Sequence, residues 1–244
     1  MTYNVHRCVG PGGKDSNAEV AQVCKDAQAD IIALQELDAP ETDEAEGAHH
    51  ARDLASQLGM KLLFCRTFRR GVGFYGHALL SRHELELVKV TTFASPHADA
   101  EPRGAIWARA TLGSGRTVDI ISTHLGVHRD ERGQQSRELA GTGWLGSEEL
   151  ETPHLLCGDL NAVPHATTYR RFAAKLRDAQ RSLRGHRPRP TFPSRLPVLR
   201  LDHVFVSDDL VVRAARVPWN AVSRRASDHL PLIVDLELRG RGAA

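Results

Sequence analysis

One octapeptide, Leu-Leu-Cys-Gly-Asp-Leu-Asn-Ala at residues 155–162, constrains this chain more than any other stretch. The apolar residues before Gly158 predict a buried strand, and the glycine lets the backbone turn or approach another segment closely. If the chain is still extended beyond the glycine, Asp159 and Asn161 lie on the same side, because strand side chains alternate. The same residues are also typical of a strand that closes with an Asx turn, and the octapeptide alone favours neither interpretation.

The composition indicates one globular domain. The chain has 244 residues, of which 41% are hydrophobic and 25% charged, and this is sufficient for one large core. No Gly/Ser-rich or Pro-rich linker, internal repeat or low-complexity tract divides the sequence, so residues 1–244 are predicted to form a single domain. The net charge of +2 excludes a polycation that coats nucleic acid.

The four cysteines are far apart in the sequence and form no Cys-x-x-Cys pair. This pattern predicts reduced, buried thiols and no structural zinc, as is expected of a cytoplasmic protein. No segment has the apolar length of a membrane span, and no signal peptide precedes the first strand. The chain begins almost inside that strand, which leaves open whether residues precede Met1.

Hydrophobic periodicity and turn residues predict more strands than helices. Helices are predicted at 18–27, 49–58 and 166–176, with a polar helical patch at 131–139. Strands are predicted at 2–6, 31–34, 61–65, 77–81, 85–93, 104–112, 117–125, 155–157, 201–206, 211–217 and 230–238. Long runs of strands with few helices between them argue against a βαβ array. They favour an α+β fold in which two mainly antiparallel sheets pack face to face with helices outside.

Residues 66–76 combine three arginines with three glycines and are predicted to form a loop. A basic, glycine-rich loop can hold a phosphate group through its backbone N–H groups. A plain, flexible hairpin loop is an equally good interpretation of the same residues.

Polar side chains occur at or near the ends of many predicted apolar strands. A carboxylate at the end of a buried strand needs a partner, because burying an unpaired charge is costly. Each polar residue taken alone is explained as a solvated or capped strand end. The set comprises Asn4, Glu36, His124, Asp159, Asn161, Asp202, Asp228 and His229. Eight such coincidences favour one site at the rim of the sandwich.

The four carboxylates of this set would repel one another and raise one another's pKa if they met in one site. A bound cation removes that problem. Oxygen ligands without paired Cys or His select a hard ion, with Mg²⁺ first and Mn²⁺ second. A hard cation beside two imidazoles suits phosphoester hydrolysis by an oriented water.

Six segments together resemble the endonuclease/exonuclease/phosphatase superfamily, the fold of pancreatic deoxyribonuclease, AP endonucleases, neutral sphingomyelinases and inositol polyphosphate 5-phosphatases. The segments are Thr-Tyr-Asn-Val at 2–5, Leu-Gln-Glu at 34–36, Ser-Thr-His-Leu at 122–125, Gly-Asp-Leu-Asn at 158–161, Leu-Asp-His-Val-Phe-Val-Ser at 201–207 and Ser-Asp-His-Leu-Pro at 227–231. They follow the family's order from residue 2 to about 236. The set is specific, although each segment is weak by itself.

The resemblance implies a four-layer α/β/β/α sandwich with the site at one rim. By match of motif, Glu36 is the main metal ligand, and Asn4 and Asp228 lie close to the metal. The cofactor is then expected to be Mg²⁺ or Mn²⁺.

The resemblance also implies roles for the catalytic residues. Asp159 would orient or deprotonate the attacking water, and Asn161 would position the phosphate. His229, held by Asp202, would contact the phosphate as a base or as an imidazolium. His124 would bind a phosphate oxygen.

One segment departs from the family pattern. The stretch Tyr-Gly-His-Ala-Leu-Leu-Ser-Arg at 75–82 resembles a family segment that often has Asn where this chain has His77. His77 is still expected to donate to phosphate. Arg103, in Glu-Pro-Arg-Gly-Ala at 101–105, matches a stretch of bacterial and lipid-directed members and is a second candidate phosphate ligand. A further polar patch of that type comprises Glu131, Arg132 and Gln135, and these features resemble the sphingomyelinase-like bacterial branch.

The leading hypothesis is a monomeric, divalent-metal phosphodiesterase in which a metal-activated water attacks in line. A small-molecule or phospholipid substrate is favoured, because net charge is near zero and aromatic residues are only 5% of the chain. Peripheral contact with lipid is compatible with this hypothesis.

Two other functions remain open at this point. The first is a Mg²⁺-dependent endonuclease or exonuclease acting on DNA or RNA, for which a basic groove is needed. The arginines that would form such a groove are Arg181, Arg184, Arg187, Arg189 and Arg195. The second is a non-catalytic phosphate-binding module, which would be expected to lose site residues, whereas the motif set here is intact.

Overall fold

The computed structural model describes residues 1–41, 49–150 and 153–240. The helices are α1 (Asn17–Ala27), α2 (His50–Leu58), α3 (Arg129–Ala140), α4 (Thr167–Ala173) and α5 (Ser223–Ala226). The strands are β1 (Thr2–Asn4), β2 (Ile31–Pro40), β3 (Lys61–Arg70), β4 (Gly73–Ser81), β5 (Glu84–Thr92), β6 (Gly104–Thr111), β7 (Thr117–His124), β8 (His154–Asp159), β9 (Arg177–Asp178), β10 (Asp202–Val206), β11 (Leu210–Arg216) and β12 (Ile233–Leu238). A 3₁₀ turn follows β1 at His6–Cys8.

Two large sheets and one hairpin contain these strands. The first sheet has the order β1-β2-β4-β3, and the second has the order β5-β6-β7-β8-β10-β9. Neighbouring strands are antiparallel apart from two pairs, β1 with β2 and β7 with β8. The β11–β12 hairpin continues the first sheet, because Thr2 and Leu232 exchange backbone hydrogen bonds of 2.9 and 3.0 Å.

Side chains fill three apolar layers between and outside the two sheets. Between the sheets, Leu79 belongs to one buried cluster with Ile106 and Ile120 of the second sheet. Helices α1 and α2 share a second cluster with the outer face of the first sheet. On the outer face of the second sheet, the rings of Phe172 in α4 and Phe205 in β10 lie 6.0 Å apart. The α+β class and the α/β/β/α sandwich are therefore confirmed.

Three predicted strand boundaries were wrong in ways that bear on the site. β1 ends at Asn4 instead of continuing to His6, because a 3₁₀ turn begins there. β2 does not end before Glu36 but passes through a bulge and pairs with β4 as far as Pro40. The basic segment at 66–76 is not an open loop, since β3 and β4 form a hairpin through most of it. Both loop interpretations of that segment were therefore wrong, since only residues 71 and 72 lie between the two strands.

The prediction that the cysteines are buried thiols is confirmed. Cys8, Cys24, Cys65 and Cys157 are all buried and free. Burial raises the pKa of Cys8 and Cys24 to about 12, and the pKa of Cys65 and Cys157 to about 11. The thiols are therefore protonated at neutral pH. Among the described residues, no helix has the length and apolar character needed to cross a bilayer.

Gly158 permits the parallel pairing of β7 and β8 immediately before the site. Its φ is 142°, and it lies opposite Thr123 in the register of the two strands. A Cβ atom at this position would lie 1.8 Å from the carbonyl oxygen of Thr123, which is rigid backbone. The glycine is therefore required by close approach of two strands as well as by its dihedral angle.

We expect Gly158→Ala to destabilise the fold by about 3 kcal/mol, since overpacking and backbone strain add. The melting temperature should fall by roughly 6–12 °C, which circular dichroism measures directly. Gly113→Ala is the matched control, because no heavy atom lies within 4 Å of a Cβ built there. Equal stability of the two variants would show that the close approach at Gly158 is not a constraint on the fold.

Candidate active site

The carboxylate of Asp159, the last residue of β8, is the centre of a buried polar cluster. The amide nitrogen Nδ2 of Asn4 donates to Asp159 Oδ2 at 3.0 Å, and the backbone N–H of Asn161 donates to Oδ1 at 2.8 Å. Two imidazoles also lie near Oδ2: its distance is 3.5 Å to Nε2 of His124 and 3.7 Å to Nε2 of His229. The ends of several strands therefore meet at this one carboxylate.

Strand register explains how residues distant in sequence reach this cluster. The parallel pairing of β7 with β8 places His124 opposite Asp159. The antiparallel pairing of β8 with β10 places Asp202 opposite Asp159 on the other side. Directly opposed residues have Cβ atoms within about 5.5 Å, so the three side chains are neighbours in the second sheet. The first sheet contributes Asn4 from the end of β1 across the sandwich.

The amide of Asn4 links the two sheets through an orientation that the backbone determines. Its Oδ1 accepts a hydrogen bond of 3.0 Å from the backbone N–H of His6. Its Nδ2 consequently faces the two acids and donates to Glu36 Oε1 at 2.9 Å as well as to Asp159. Asn4, predicted to lie close to the metal, presents a donor here and holds Glu36 in place.

Left-handed backbone conformations concentrate at this cluster. His6–Cys8 have φ values of 46°, 56° and 54°, Glu36 has 60° and Asn161 has 48°. Among the described non-glycine residues with positive φ, Gln28 alone lies elsewhere, at the C-terminal cap of α1. Such conformations cost about 1–3 kcal/mol each and persist mainly where function requires them.

Residues 159–161 of the octapeptide form an Asx turn, as one of its two interpretations predicted. The other interpretation, in which the chain is still extended there, is wrong. β8 ends at Asp159, and the backbone of Asn161 is left-handed. The side chain of Asn161 nevertheless reaches the cluster, since its Nδ2 lies 3.3 Å from His124 Nε2 and donates to the Leu125 carbonyl oxygen at 2.9 Å. The His6–Cys8 turn leaves little signal in the sequence, because no glycine or proline lies within it.

Asp202 and His229 form a buried acid–imidazole pair. Nδ1 of His229 lies 2.8 Å from Asp202 Oδ2, and the ring of Phe192 lies 4.8 Å from the imidazole. Burial by itself lowers the pKa of His229, but the carboxylates of Asp202 and Asp159 outweigh it and raise the pKa to about 10. His229 is therefore an imidazolium at neutral pH, with Nε2 directed at Asp159.

Two other histidines near the cluster are neutral. Burial, and then the charge of Arg103, lowers the pKa of His124 well below its usual value and that of His77 to about 3. Burial likewise raises the pKa of Asp159 above the ordinary range of a carboxyl group. The site thus combines one charged imidazole with neutral ones and with a carboxyl group that titrates nearer to neutrality.

Two groups of side chains offer ligands for a cation. Asp159, Asp202 and His229 place three ligand atoms within 4.8 Å of one another. Because both nitrogens of His229 face carboxylates, its imidazolium charge already offsets one of the two negative charges in this group. The carboxylates of Glu36 and Asp228 are more open, with 19% and 33% of their side chains exposed. Mg²⁺ binds through one or two carboxylates and keeps several waters, so the Glu36 and Asp228 carboxylates fit it better.

Asp228 is connected to Asn4 through Ser227. The hydroxyl of Ser227 lies 2.8 Å from the carbonyl oxygen of Asn4 and 3.3 Å from Asp228 Oδ1. Nδ1 of His6 is 3.9 Å from the same carboxylate oxygen. The turn after β1 therefore brings His6 into the cluster as a neighbour of Asp228, which the sequence analysis did not foresee.

The structure brings most of the predicted site residues together. Contacts of 4.0 Å or less join Asn4, Glu36, His124, Asp159, Asn161, Asp202 and His229. Within the described ranges, His77 and Arg103 make no hydrogen bond to these residues, but Arg103 is close enough for its charge to act on Glu36 and His124. His77 Nε2 is buried without a hydrogen-bond partner there, and Arg103 pairs with Glu101 at 3.0 Å.

A sequence model of the Endonuclease/Exonuclease/phosphatase family matches residues 1–229. The chain belongs to this family. Protein YbhP of Escherichia coli K12 is 28% identical over 235 residues, which cover 90% of this chain and 88% of that protein. The endonuclease/exonuclease/phosphatase of Bacteroides vulgatus is 20% identical with a TM-score of 0.75, covering 98% of this chain and 97% of the other. A mannosyl-6-phosphatase of Bacteroides thetaiotaomicron is 19% identical with a TM-score of 0.69, covering 97% and 98%.

We expect Asp202→Asn to lower the pKa of His229, because it removes a carboxylate that stabilises the imidazolium. A side-chain NMR titration of His229 measures this shift. Asp202→Asn and His229→Ala should each reduce kcat by about 10²–10⁴, and the double variant should be little worse than either single variant. His165→Ala, at an exposed position, is the control. Additive losses would mean that the two residues act independently.

Proposed function

We propose that this member of the family is a divalent-metal-dependent phosphodiesterase. The observation that carries the proposal is the convergence of polar side chains from both sheets on Asp159, with a buried Asp202–His229 pair beside it. A buried cluster of this kind costs stability, because each charge must be desolvated. The cost is explained by chemistry that needs acids, imidazoles and a cation in one place.

Glu36 and Asp228 are the residues that would hold Mg²⁺ or Mn²⁺, and Asn4 would keep the Glu36 carboxylate in position. When bound, such an ion neutralises the phosphate and lowers the pKa of a water molecule. The remaining steps depend on side chains of the chain itself.

Asp159 would orient the attacking water and accept its proton. Its raised pKa, caused by burial, makes it a stronger base than an exposed carboxylate. The Nδ2 of Asn161 would donate to a phosphate oxygen beside the neutral ring of His124. The imidazolium of His229 would donate its Nε2 proton to the phosphate or to the leaving oxygen.

The charge balance of the site favours a diester over a monoester. Without the metal, four carboxylates are opposed by the imidazolium of His229 and by the guanidinium of Arg103, whose charge acts on Glu36 and His124. A diester carries one negative charge fewer than a monoester dianion and is therefore repelled less. A related fold named as a mannosyl-6-phosphatase supports phosphoester chemistry in general. A small-molecule or phospholipid diester is therefore the proposed substrate class.

A nuclease is the second candidate function. Arg187, Arg189 and Arg195 are exposed, and none has a carboxylate within 4.0 Å among the residues that the structure describes. Exposed arginines of this kind can bind the phosphate backbone of a nucleic acid. The candidate is weaker because few aromatic residues are available for stacking on bases.

We expect hydrolysis of bis-p-nitrophenyl phosphate to be abolished by EDTA and restored by Mg²⁺ or Mn²⁺. Glu36→Gln should weaken the affinity for the activating metal by roughly tenfold or more, while the melting temperature stays unchanged. Glu86→Gln, on the exposed face of β5, is the matched control. Full activity of the chelated enzyme would refute the metal dependence.

The salt dependence of kcat/KM separates the two candidate functions. Four or five phosphate contacts on duplex DNA would lower affinity roughly a hundredfold between about 50 and 200 mM salt. A small diester engages one or two phosphates, so we expect a shallow slope for it and poor cleavage of DNA. The measurement is kcat/KM for plasmid DNA and for the soluble diester at saturating Mg²⁺. Efficient DNA cleavage with a steep slope, lost when Arg184, Arg187 and Arg189 become Ala, would favour the nuclease.

A further inference from the structure

Large apolar side chains are exposed in two regions of the part of the chain that the structure describes. Leu87 and Val90 lie on β5, the edge strand of the second sheet. The others lie on loops, with exposed fractions from 40% for Leu199 to 83% for Val72. These loop residues form the apolar rim, which comprises Val72, Val127, Leu196, Val198, Leu199 and Trp219.

Two members of the apolar rim lie where strands that carry site residues end. Val127 follows His124 by three residues, after the end of β7. Val72 is in the turn between β3 and β4, beside the end of β2 at Pro40. Because β2 runs from the bulge at Glu36 to Pro40, this turn projects beyond the site on the same side of the sandwich.

The remaining members are connected to the site by hydrogen bonds of their loops. The backbone N–H of Ser194, which precedes Leu196–Leu199, donates to the Asp228 carbonyl oxygen at 2.6 Å. The indole N–H of Trp219 donates to the Ser194 carbonyl oxygen at 3.0 Å. The ring of Phe192 in the same loop packs at 4.8 Å from the imidazole of His229. The loops that carry Leu196–Leu199 and Trp219 therefore lie directly beside Asp228 and His229.

A groove with a volume of about 990 Å³ lies beside Leu196 and Trp219, two members of the apolar rim. Leu196 and Trp219 contribute apolar surface to it, and Arg187 and Arg189 contribute cations. Leu230, which follows His229 in the sequence, also lines the groove and connects it to the site. A lining that alternates apolar and cationic groups matches an amphipathic, anionic ligand.

Positive charge accompanies the apolar rim. Arg187, Arg189 and Arg195 are exposed and have no carboxylate within 4.0 Å in residues 1–41, 49–150 and 153–240. The guanidinium of Arg224 lies 5.3 Å from the centroid of the Trp219 ring, so a further cation adjoins the exposed indole. Arginines beside exposed Leu, Val and Trp are the composition of a surface that binds anionic lipid interfaces.

We propose that the apolar rim and its arginines dock this protein on the surface of a bilayer that contains anionic phospholipid. The exposed Leu, Val and Trp side chains enter the region between head groups and acyl chains, and the arginines contact the lipid phosphates. The opening of the site then faces the head groups. The assignment of a phospholipid as substrate rests on the proposed phosphodiesterase function, whereas docking itself requires no catalysis.

The exposed aliphatic residues favour a lipid surface over nucleic acid. Single-stranded nucleic acid is bound by aromatic stacking and by cations, and duplex DNA mainly by cations. Neither uses exposed Leu and Val side chains on three separate loops. A lipid interface gains free energy from each aliphatic side chain that leaves water.

Vesicle binding tests the proposal directly. The whole protein is sedimented with vesicles of phosphatidylcholine containing about 30% phosphatidylglycerol, and with pure phosphatidylcholine vesicles, in EDTA. We expect clear binding to the anionic vesicles and much weaker binding to the neutral ones. The double substitution Leu196→Glu and Val198→Glu should reduce the partition coefficient for anionic vesicles roughly tenfold or more, because the apolar contact of both side chains with lipid is lost.

The exposed apolar residues of β5 provide the matched control. Leu87→Glu together with Val90→Glu removes the same side-chain types from a surface away from the site, and vesicle binding should be unchanged. Both double variants should hydrolyse a soluble diester as well as the wild type does, which shows that they are folded.

A second measurement reports on the indole of the apolar rim. The chain has three tryptophans, and Trp107 and Trp144 are buried while Trp219 is exposed. Quenching of tryptophan fluorescence by brominated lipid in anionic vesicles should therefore arise from Trp219. Unchanged fluorescence with bound vesicles would contradict the proposed orientation.

Three results would overturn docking on lipid. One is failure of the wild type to bind anionic vesicles, and another is equal loss of binding in the rim and β5 variants. The third is binding of duplex DNA without binding of vesicles, which would assign the arginines to nucleic acid. Failure of the proposed phosphodiesterase function gives a different result from failure of docking. The protein would then bind the vesicles but show no metal-dependent hydrolysis of a diester.

Discussion

The buried carboxylate of Asp159 is the constraint on which the rest of the structure depends. A charge that is removed from water must be paired and hydrogen-bonded, or the fold loses several kcal/mol. The required partners are Asn4 from the first sheet and His229 from the loop before β12, which Asp202 of the second sheet holds in place. The left-handed turns and the close approach at Gly158 are consequences, because each brings a partner within reach.

Strands and loops have different tasks in this architecture. Most side chains of the polar cluster project from strand ends or from the bulge in β2, which paired strands hold rigidly, whereas Asn161 and His229 lie in the loops after β8 and before β12. The apolar rim lies on loops, where sequence can vary without disturbing the sandwich. Under the proposed function, the cluster provides the chemistry and the loops of the apolar rim contact what approaches it. It also explains why the family model covers residues 1–229 although structural neighbours are only about one-fifth identical.

Much of the fold and of the cluster was predictable from the sequence. Apolar runs located the strands, and polar residues at their ends, such as His124 and Asp159, identified the site. Other features depend on contacts between distant segments and leave little local signal. The orientation of the Asn4 amide depends on the backbone of His6, and the imidazolium of His229 depends on two carboxylates. The extension of β2 beyond Glu36 depends on pairing with β4.

The most direct test of the central claim is the activity of Asp159→Asn on a soluble diester at saturating Mg²⁺. The amide retains the shape and one acceptor oxygen, for the Asn161 N–H, but it presents an NH2 group where Oδ2 accepted from Asn4, and it cannot accept a proton. The account predicts a loss of kcat/KM of about 10³-fold or more in a variant that circular dichroism shows to be folded. Asp208→Asn, at a surface position with 87% of the side chain exposed, should retain full activity. A folded Asp159→Asn enzyme with activity within about tenfold of wild type would contradict a catalytic role for this carboxylate.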